Sequence, residues 1–557
     1  MTRASLSQRL LAAVIALFLV VTLLLPVAAV VKSAFTNADG SFTLGHMASL
    51  FQVTLLRESF YNSLYVAVLT VLASSLLALP LAYLTSRFQF RGAGIVSSLA
   101  VIPLVMPPFI GAVAMQLLFG KNGSLNLLLK EYLGFRIPIM EGLTGVIFVE
   151  SLHYFPFIFL NVAAALANLD GAMEEAAENL GCTGLRLFRR IVLPLVLPGY
   201  LAGVLLVFIK VFDDLGTPLV LGVTNMLAPQ AFLRITSVGV DDPLGYVICV
   251  ALVLISLAAL WLSNRAMVGR DYSTTQRGGT TVSKYPLHSW RAVLAYAWTV
   301  VVLLLVLSPL LGLLLLSFAK VWSFSLLPDA FTTSHYVTMI QDSPRMIWNT
   351  LLYCGVAAGV GVLLSTAIAY LMLRTPVRGG KALDFLASAS LAVPGIVLGI
   401  GYLRVFKGMN IPFTETAVLS TWVAITLALT VRRLPYALRA CVAALQQVHP
   451  SLEEAALNLG ATRRRAVMRI VMPLMLGGIV AGFITVFVTA AVELSTTLVL
   501  LASSQQAPLA LGIYFYLQSM TGRGPGAALG VAAVVLVGLG TFFSQRLMRG
   551  RGALREV

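Results

Sequence analysis

Residues 174–195 read EEAAENLGCTGLRLFRRIVLPL, and residues 453–474 read EEAALNLGATRRRAVMRIVMPL. The two stretches are identical at 14 of 22 positions, with a constant offset of 279 residues. Such similarity at one fixed spacing indicates an internal repeat. Both copies are polar and basic in a chain that is otherwise largely apolar, so we expect them to lie outside the lipid.

Each copy predicts two short helices that meet at a glycine. The first helix should end at Gly181 or Gly460, because a residue without Cβ suits the left-handed position that closes many helices. The second helix should run toward Pro194 or Pro473, where the next apolar segment begins. We call each of these helix, glycine and helix units an elbow.

The composition of the chain is that of a protein that crosses the membrane many times. Of the 557 residues, 59% are hydrophobic and only 11% are charged, and the mean hydropathy is +0.92. Soluble domains have about 25% charged residues. The net charge of +16 does not indicate nucleic-acid binding, because the basic residues are dispersed among apolar segments and form no patch with interleaved aromatic residues.

Twelve apolar segments have about the 20 residues that a helix needs to cross the hydrocarbon core. The sequence therefore predicts an all-α membrane protein with twelve transmembrane helices. The segments are 10–31, 62–85, 94–119, 144–167, 196–221, 245–264, 292–317, 349–373, 383–406, 416–440, 476–501 and 526–545.

Lysine and arginine residues predict the orientation of these segments. With the amino terminus in the cytoplasm, 26 of the 38 basic residues fall on the cytoplasmic side. The total is 24 when Arg432 and Arg433 are assigned to a membrane helix. This distribution follows the positive-inside rule, and it places both elbows and both termini in the cytoplasm.

The repeat extends beyond the elbows. Asn62, Tyr83, Arg91 and Pro107 have identical counterparts 287 residues later. The sequence therefore predicts two parallel six-helix repeats, related by an axis along the membrane normal. The first repeat covers 1–264 with its elbow at 170–194, a cytoplasmic linker covers 265–291, and the second repeat covers 292–557 with its elbow at 449–473.

Charged residues inside the apolar segments are candidates for lining a pathway. Asp214 and Glu493 occupy equivalent positions, and a carboxylate in a membrane is costly unless it is paired or faces water. Lys210 lies four residues before Asp214, where it could neutralise this acid on one helix face. A structural ion pair or an exposed helix end explains the two acids equally well.

Arg432 and Arg433 lie where hydropathy alone would end the tenth segment. The repeat equates Pro156 with Pro435, so we expect both arginines to lie within a helix, where they contact an anion or snorkel toward the elbow. Glu150 is equally open to either kind of role. We expect the prolines at 103, 107, 108 and 394 to kink helices. The full set of pathway candidates is Asp213, Asp214, Glu493, Lys210, Arg432 and Arg433.

Nothing in the sequence indicates an enzyme. No G-x4-G-K-[S/T] phosphate loop occurs, and the five histidines lack the spacing of metal ligands. Any energy for transport would have to come from another protein.

The pattern E-A-A-x3-G-x9-I-x-(L/M)-P, present twice, resembles the cytoplasmic coupling loop of ABC importer permeases. The resemblance implies the type I ABC importer permease fold, an inner-membrane location, two ATPase subunits that carry ATP and magnesium, and an external substrate-binding protein. It implies no cofactor on this chain. The residues that it assigns to ATPase coupling are Glu174, Glu175, Ala176, Ala177, Gly181, Ile191, Pro194, Glu453, Glu454, Ala455, Ala456, Gly460, Ile470 and Pro473.

The two fused repeats are most similar to the ferric iron group of these permeases, with thiamine and 2-aminoethylphosphonate permeases as relatives. Ferric iron is the expected cargo, and 2-aminoethylphosphonate, thiamine or another small solute is the alternative. An ion-coupled secondary transporter is the alternative class, because parallel repeats and intramembrane acids occur there too. The paired elbows favour the importer.

Overall fold

The computed structural model describes residues 5–37, 39–169, 171–267, 285–287, 289–323, 325–377, 379–519 and 521–549. Both chain ends lie outside these ranges, as do Asp170 at the start of the first predicted elbow and 268–284 and 288 of the predicted linker. The predicted course of the linker and the cytoplasmic location of the termini therefore remain predictions.

Helices account for nearly all regular structure in the first half of the chain. Short π-helical turns at Val20–Leu24 and Phe188–Val192 and a 3-10 turn at Ile102–Val105 continue neighbouring helices. The helices are α1 Leu6–Leu19, α2 Leu25–Ala34, α3 Gly45–Gln52, α4 Thr54–Arg87, α5 Ala93–Val101, α6 Pro108–Phe119, α7 Ser124–Leu133, α8 Gly142–Ala167, α9 Gly171–Asn179, α10 Gly184–Leu187, α11 Leu193–Asp213, α12 Gly216–Val220, α13 Leu227–Ser237 and α14 Pro243–Met267.

The second half repeats this pattern. A π-helical turn at Val467–Val471 and 3-10 turns at Ser390–Ala392, Val418–Ser420 and Ser504–Gln506 accompany the helices. These are α15 Ser289–Phe318, α16 Ser334–Asp342, α17 Pro344–Arg374, α18 Gly380–Ala389, α19 Gly395–Phe406, α20 Trp422–Gln447, α21 Pro450–Asn458, α22 Arg463–Ala466, α23 Met472–Ala491, α24 Ser495–Leu500, α25 Leu509–Gln518 and α26 Arg523–Arg549.

Four short strands complete the described structure. Strand β1 (Phe88–Gln89) pairs in parallel with β2 (Tyr285–Pro286), and β3 (Ala319–Val321) pairs antiparallel with β4 (Ala330–Phe331). Each strand has only two or three residues. The fold is therefore an all-α membrane protein, as the sequence predicts.

The described residues contain nine helical spans that are long and apolar enough to cross a membrane, and eleven if each of two bent helix pairs is one span. The remaining predicted segment, 416–440, corresponds to α20. This helix has 26 residues, but its arginines make it less apolar than the others. The structure is consistent with twelve crossings, and the prediction that Arg432 and Arg433 lie within a helix is confirmed.

Two predicted segments, 94–119 and 383–406, are bent rather than straight. The chain turns by 104° between Ala93–Val105 and Pro108–Leu133, and by 107° between Gly380–Ala392 and Gly395–Phe406. Pro107 and Pro394 lie at the two breaks. The residue before a proline is driven out of the helical region, and Met106 and Val393 are indeed extended. The prediction that these prolines kink helices is confirmed.

Two other predicted segments, 196–221 and 476–501, end earlier than expected. Helix α11 ends at Asp213 and α23 ends at Ala491, and each is followed by a short helix, α12 or α24. The carboxylates of Asp214 and Glu493 accept hydrogen bonds from the first backbone N–H groups of these short helices. The acids therefore cap the starts of the short helices instead of lying within the long ones.

The helices pack into two compact units. One contains the described residues of Met1–Leu50, Ala231–Val253 and Ser334–Val557, and the other contains those of Phe51–Gln230 and Leu254–Thr333. Within the first unit, the Tyr402 hydroxyl donates to the Thr22 carbonyl at 2.9 Å. The first helical span thus packs with helices of the second half. The predicted repeats, 1–264 and 292–557, describe sequence duplication and not these packing units. Their boundaries remain predictions.

Candidate coupling elbows and intramembrane acids

The two elbows have the same backbone. Helix α9 is followed by Gly181 at φ +79°, and α21 is followed by Gly460 at φ +85°. The Gly181 N–H donates to Glu178 and the Cys182 N–H to Ala177, which is the Schellman arrangement. Equivalent bonds close α21. The predicted glycine termination of both helices is therefore confirmed.

The second part of each elbow also has the same design in both copies. The short helices α10 and α22 lead into the π-helical turns Phe188–Val192 and Val467–Val471, which continue into α11 and α23. Such wide turns are rare and occur often at functional sites. Half-buried Ile191 and Ile470 lie in these turns, and Pro194 and Pro473 are in the first turn of the following helices.

The first glutamate of the first elbow points inward. The side chain of Glu174 is 9% exposed and that of Arg87, the last residue of α4, is 2% exposed. Arg87 Nη1 donates to Glu174 Oε2 at 3.1 Å, and Nη2 donates to Oε1. This two-pronged charged contact is among the strongest that side chains make. It fastens the elbow to the end of a long helix.

The second elbow fastens its equivalent glutamate, Glu453, with different residues. The Tyr370 hydroxyl donates to Glu453 Oε1 at 2.5 Å, and Arg463 Nε lies 3.6 Å from the same oxygen. Arg374, the counterpart of Arg87, donates instead to the Leu445 carbonyl at 3.2 Å. We call the Arg87 and Glu174 contact the first latch, and the contacts of Glu453 with Tyr370 and Arg463 the second latch.

The sequence analysis missed the residues that hold these glutamates. A signal was present, because Tyr83 and Tyr370 are identical at the repeat offset and so are Arg87 and Arg374. Polar residues that match at the elbow end of paired helices are candidates for holding the elbow.

The other faces of the elbow helices are exposed. Ala177 and Ala456 are buried together with the latched glutamates, whereas Glu175, Ala176, Glu454 and Ala455 are exposed. The neighbouring leucines, Leu180 and Leu459, are 88% and 89% exposed. Each elbow therefore presents the second glutamate of its pair and a highly exposed leucine at equivalent positions, and the sequence analysis did not identify these leucines.

In the second half, the buried Glu493 carboxylate accepts several hydrogen bonds. Arg432 Nη1 donates to Glu493 Oε1 at 2.5 Å, and this oxygen also accepts from Thr496 N and Oγ1, each at 3.0 Å. Thr497 N lies 3.4 Å from Oε2. The structure thus joins two of the predicted pathway residues in one buried ion pair, whereas Arg433 is buried and its Nε has no hydrogen-bond partner among the described residues.

Asp214 in the first half has similar backbone contacts but no arginine. Its Oδ1 accepts from Gly216 N at 2.9 Å and Thr217 N at 3.3 Å, and its Oδ2 accepts from Thr217 Oγ1 at 2.5 Å. The suggested pairing with Lys210 is wrong. The Asp214 carboxylate bonds to Gly216 and Thr217, and no ion pair joins it to Lys210 in the part of the chain that the structure describes. Asp213, the last residue of α11, is buried.

Comparison with known proteins identifies the family. The family model described as "Binding-protein-dependent transport system inner membrane component" matches residues 74–274 and 361–551. The chain belongs to this family. It is a multi-pass permease with two fused repeats, and its relatives are transport permeases rather than enzymes.

Several curated permeases are similar to this one. A ferric transport system permease protein, FbpB, of Actinobacillus pleuropneumoniae is 29% identical over 430 residues, covering 74% of this chain and 60% of the relative. A putative ferric transport permease of Haemophilus influenzae is 28% identical over 466 residues, covering 81% and 71%. The molybdenum transport permease ModB of Escherichia coli is 28% identical over 218 residues, covering 37% of this chain and 94% of ModB.

The described part of the permease contains no group of three or more histidine, cysteine, aspartate or glutamate side chains that could hold a metal ion.

Proposed function

We propose that this permease is the membrane subunit of an ATP-driven importer and that each elbow binds one ATPase subunit in the cytoplasm. The observation that carries the proposal is the two-sided geometry of the elbows. In both copies the first glutamate is latched inward, while the second glutamate and a leucine face outward. One face of each elbow packs against the rest of the permease, and the opposite face is free to bind a partner.

The outward leucines supply the apolar part of the proposed contact. Leu180 and Leu459 occupy equivalent positions and are 88% and 89% exposed, although the elbows are polar segments expected to lie in water. Burying a leucine side chain contributes about 1.5–3 kcal/mol. Glu175 and Glu454 supply charge beside it. Two such surfaces on one chain support a complex with two ATPase subunits.

The latches provide a route from the ATPase to the membrane. Arg87 is the last residue of α4, and Tyr370 lies in the last two turns of α17. When closure of the ATPase subunits moves the elbows, these buried contacts would pull on α4 and α17. The permease would then alternate between outward-open and inward-open forms, with a binding protein delivering cargo from outside.

The distribution of basic residues supports the orientation that this function requires. It places both elbows and both termini in the cytoplasm, where ATP is present. The family description supports an inner-membrane location. ATP and magnesium would be bound by the partner, because the chain lacks a phosphate loop.

Ferric iron is the proposed cargo. Two of the relatives that match most of this chain are named ferric transport permeases, and a third is named a probable ABC transporter permease without a stated cargo, whereas the molybdenum permease covers 37% of the chain. Acidic residues along the path, such as Asp214, also suit a cationic cargo.

Uptake of radioactive iron by cells with the intact importer tests this function. Gly460→Pro should abolish uptake, because proline fixes φ near −65° and Gly460 needs φ +85°. Gly355→Ala is the matched control, since no atom lies within 4 Å of a Cβ at this position. Wild-type uptake by normally inserted Gly460→Pro would refute the role of the elbow. Uptake of 2-aminoethylphosphonate or thiamine instead of iron would refute the cargo.

A further inference from the structure

A short segment of the predicted linker contacts the first elbow. Tyr285 and Pro286 form strand β2, which pairs in parallel with the two residues that follow α4. The Tyr285 hydroxyl donates a hydrogen bond to Glu178 Oε1 in the elbow helix α9, at 3.1 Å. We call Tyr285 and Pro286 the strap, because they join the end of α4 to the elbow.

Aromatic rings continue this contact to the second part of the elbow. The Tyr285 ring lies 6.4 Å from the Phe88 ring, which lies 5.8 Å from the Tyr83 ring. The Tyr83 ring makes an edge-to-face contact at 5.6 Å with Phe188, in the π-helical turn of the elbow. Aromatic pairs at such distances attract each other beyond the effect of apolar burial. The strap is therefore connected to the elbow at Glu178 directly and at Phe188 through two rings.

The second elbow lacks the residues that make these contacts. The counterparts of Phe88, Phe188 and Glu178 are Thr375, Val467 and Leu457. Thr375 and Val467 have no aromatic ring, and the Leu457 side chain has no hydrogen-bond acceptor. Among the described strands, none pairs with the chain that follows α17. The strap is thus a feature of the first elbow alone.

We propose that Tyr285 is a positioning residue that restrains the first elbow, so that the two elbows are attached to the permease differently. The first latch holds α9 at Glu174, and one point of attachment lets a helix pivot. The strap adds a second point at Glu178, one helical turn farther along. The first elbow and the end of α4 therefore move together, whereas the second elbow can pivot on its latch.

This difference affects how the elbows transmit movement, an inference that rests on the proposed function. Closure of an ATPase subunit on the first elbow moves α4 directly, because little of the movement is lost in pivoting. Without the strap, part of each closure would rotate α9 without moving α4. Tyr285 acts in this way through Glu178 and Phe88, and it need not touch the ATPase or the cargo.

Hydrogen exchange of the full-length permease in lipid nanodiscs tests the restraint without ATPase or cargo. Tyr285→Ala removes the hydrogen bond and the ring, and it should speed exchange in α9 about tenfold while leaving α21 unchanged. Tyr285→Phe keeps the ring and should have a smaller effect. Tyr296→Ala is the matched control, because this tyrosine contacts Phe90 and the Arg91 carbonyl next to the strand. In this variant α9 should exchange as in the wild type.

The number of ATP molecules hydrolysed for each cargo imported tests the role in coupling. This ratio is measured on the intact importer in liposomes, and it does not depend on how much importer assembles. It should rise in Tyr285→Ala, and Tyr285→Phe should restore most of the wild-type ratio. A contact that only stabilised the fold would leave the ratio unchanged.

The outcomes separate the restraint from the function. Unchanged exchange of α9 in Tyr285→Ala, or equal acceleration in Tyr296→Ala, would overturn the restraint even if the importer works as proposed. Faster exchange in Tyr285→Ala with an unchanged ratio would overturn the positioning role. If uptake by the wild-type importer does not require ATP, the proposed function is overturned, and the exchange rates still decide whether the strap restrains the elbow.

Discussion

Glu174→Gln and Glu175→Gln remove the same charge from adjacent residues of one helix, yet the structure predicts opposite outcomes. Glu174 is 9% exposed and binds Arg87, which is 2% exposed. Without Glu174 the guanidinium stays buried without its counter-charge, and breaking a buried pair in this way costs about 3–5 kcal/mol. Glu175 is exposed, so its substitution should change stability by less than about 0.5 kcal/mol.

Hydrogen exchange of the elbow amides measures this difference. Because the first latch fastens α9 to the end of α4, most of the cost should appear as easier local opening of Gly171–Asn179. At about 1.4 kcal/mol for each factor of ten, the lower bound of about 3 kcal/mol predicts roughly 100-fold faster exchange in Glu174→Gln. Glu175→Gln should exchange as the wild type does. Equal rates in the two variants would refute the latch.

Three further predictions concern packing and the linker. Gly395→Ala should lower stability by about 3 kcal/mol, because its Cβ displaces Arg432 from its ion pair. Gly359→Ala, with open space around its Cβ, should raise the unfolding temperature, since alanine favours a helix by up to about 1 kcal/mol. Tyr285→Phe should modestly speed exchange in α9, because the Tyr285 hydroxyl donates to Glu178 at 3.1 Å. Burial and Glu178 raise the pKa of Tyr285, so the hydroxyl should stay protonated and the wild-type bond should persist beyond the pH at which a free tyrosine ionises.

Much of the fold could be predicted because the repeat provides two sequences for each structural element, and each copy constrains the interpretation of the other. From hydropathy alone, the helix that contains Arg432 would end near this residue. The equivalent helix of the first half continues past Pro156, and this predicts that the second copy continues too. The glycine-terminated elbows were predictable because the glycine occurs in both copies. Its role is also simple to infer, because a residue without Cβ adopts the left-handed conformation without steric cost.

The remaining features depend on contacts that are distant in sequence. Glu174 and Glu175 are chemically identical, and the partner that pairs with Glu174, Arg87, lies 87 residues away. The ion pair of Arg432 with Glu493 spans 61 residues. The ends of α11 and α23 were mispredicted because the segments that follow their acids are also apolar, so hydropathy does not show that the backbone turns there.

Photo-crosslinking from the elbows tests the central claim most directly. A photoreactive amino acid placed at Leu180 or Leu459 in the intact importer should crosslink, in native membranes, to a protein that carries a phosphate-loop motif. The same probe at Leu363, an exposed leucine in the middle of α17, should not capture that protein. Capture of an ATPase from both elbows is the predicted result, and its absence from both elbows in a well-inserted permease would contradict the proposal that they couple transport to ATP.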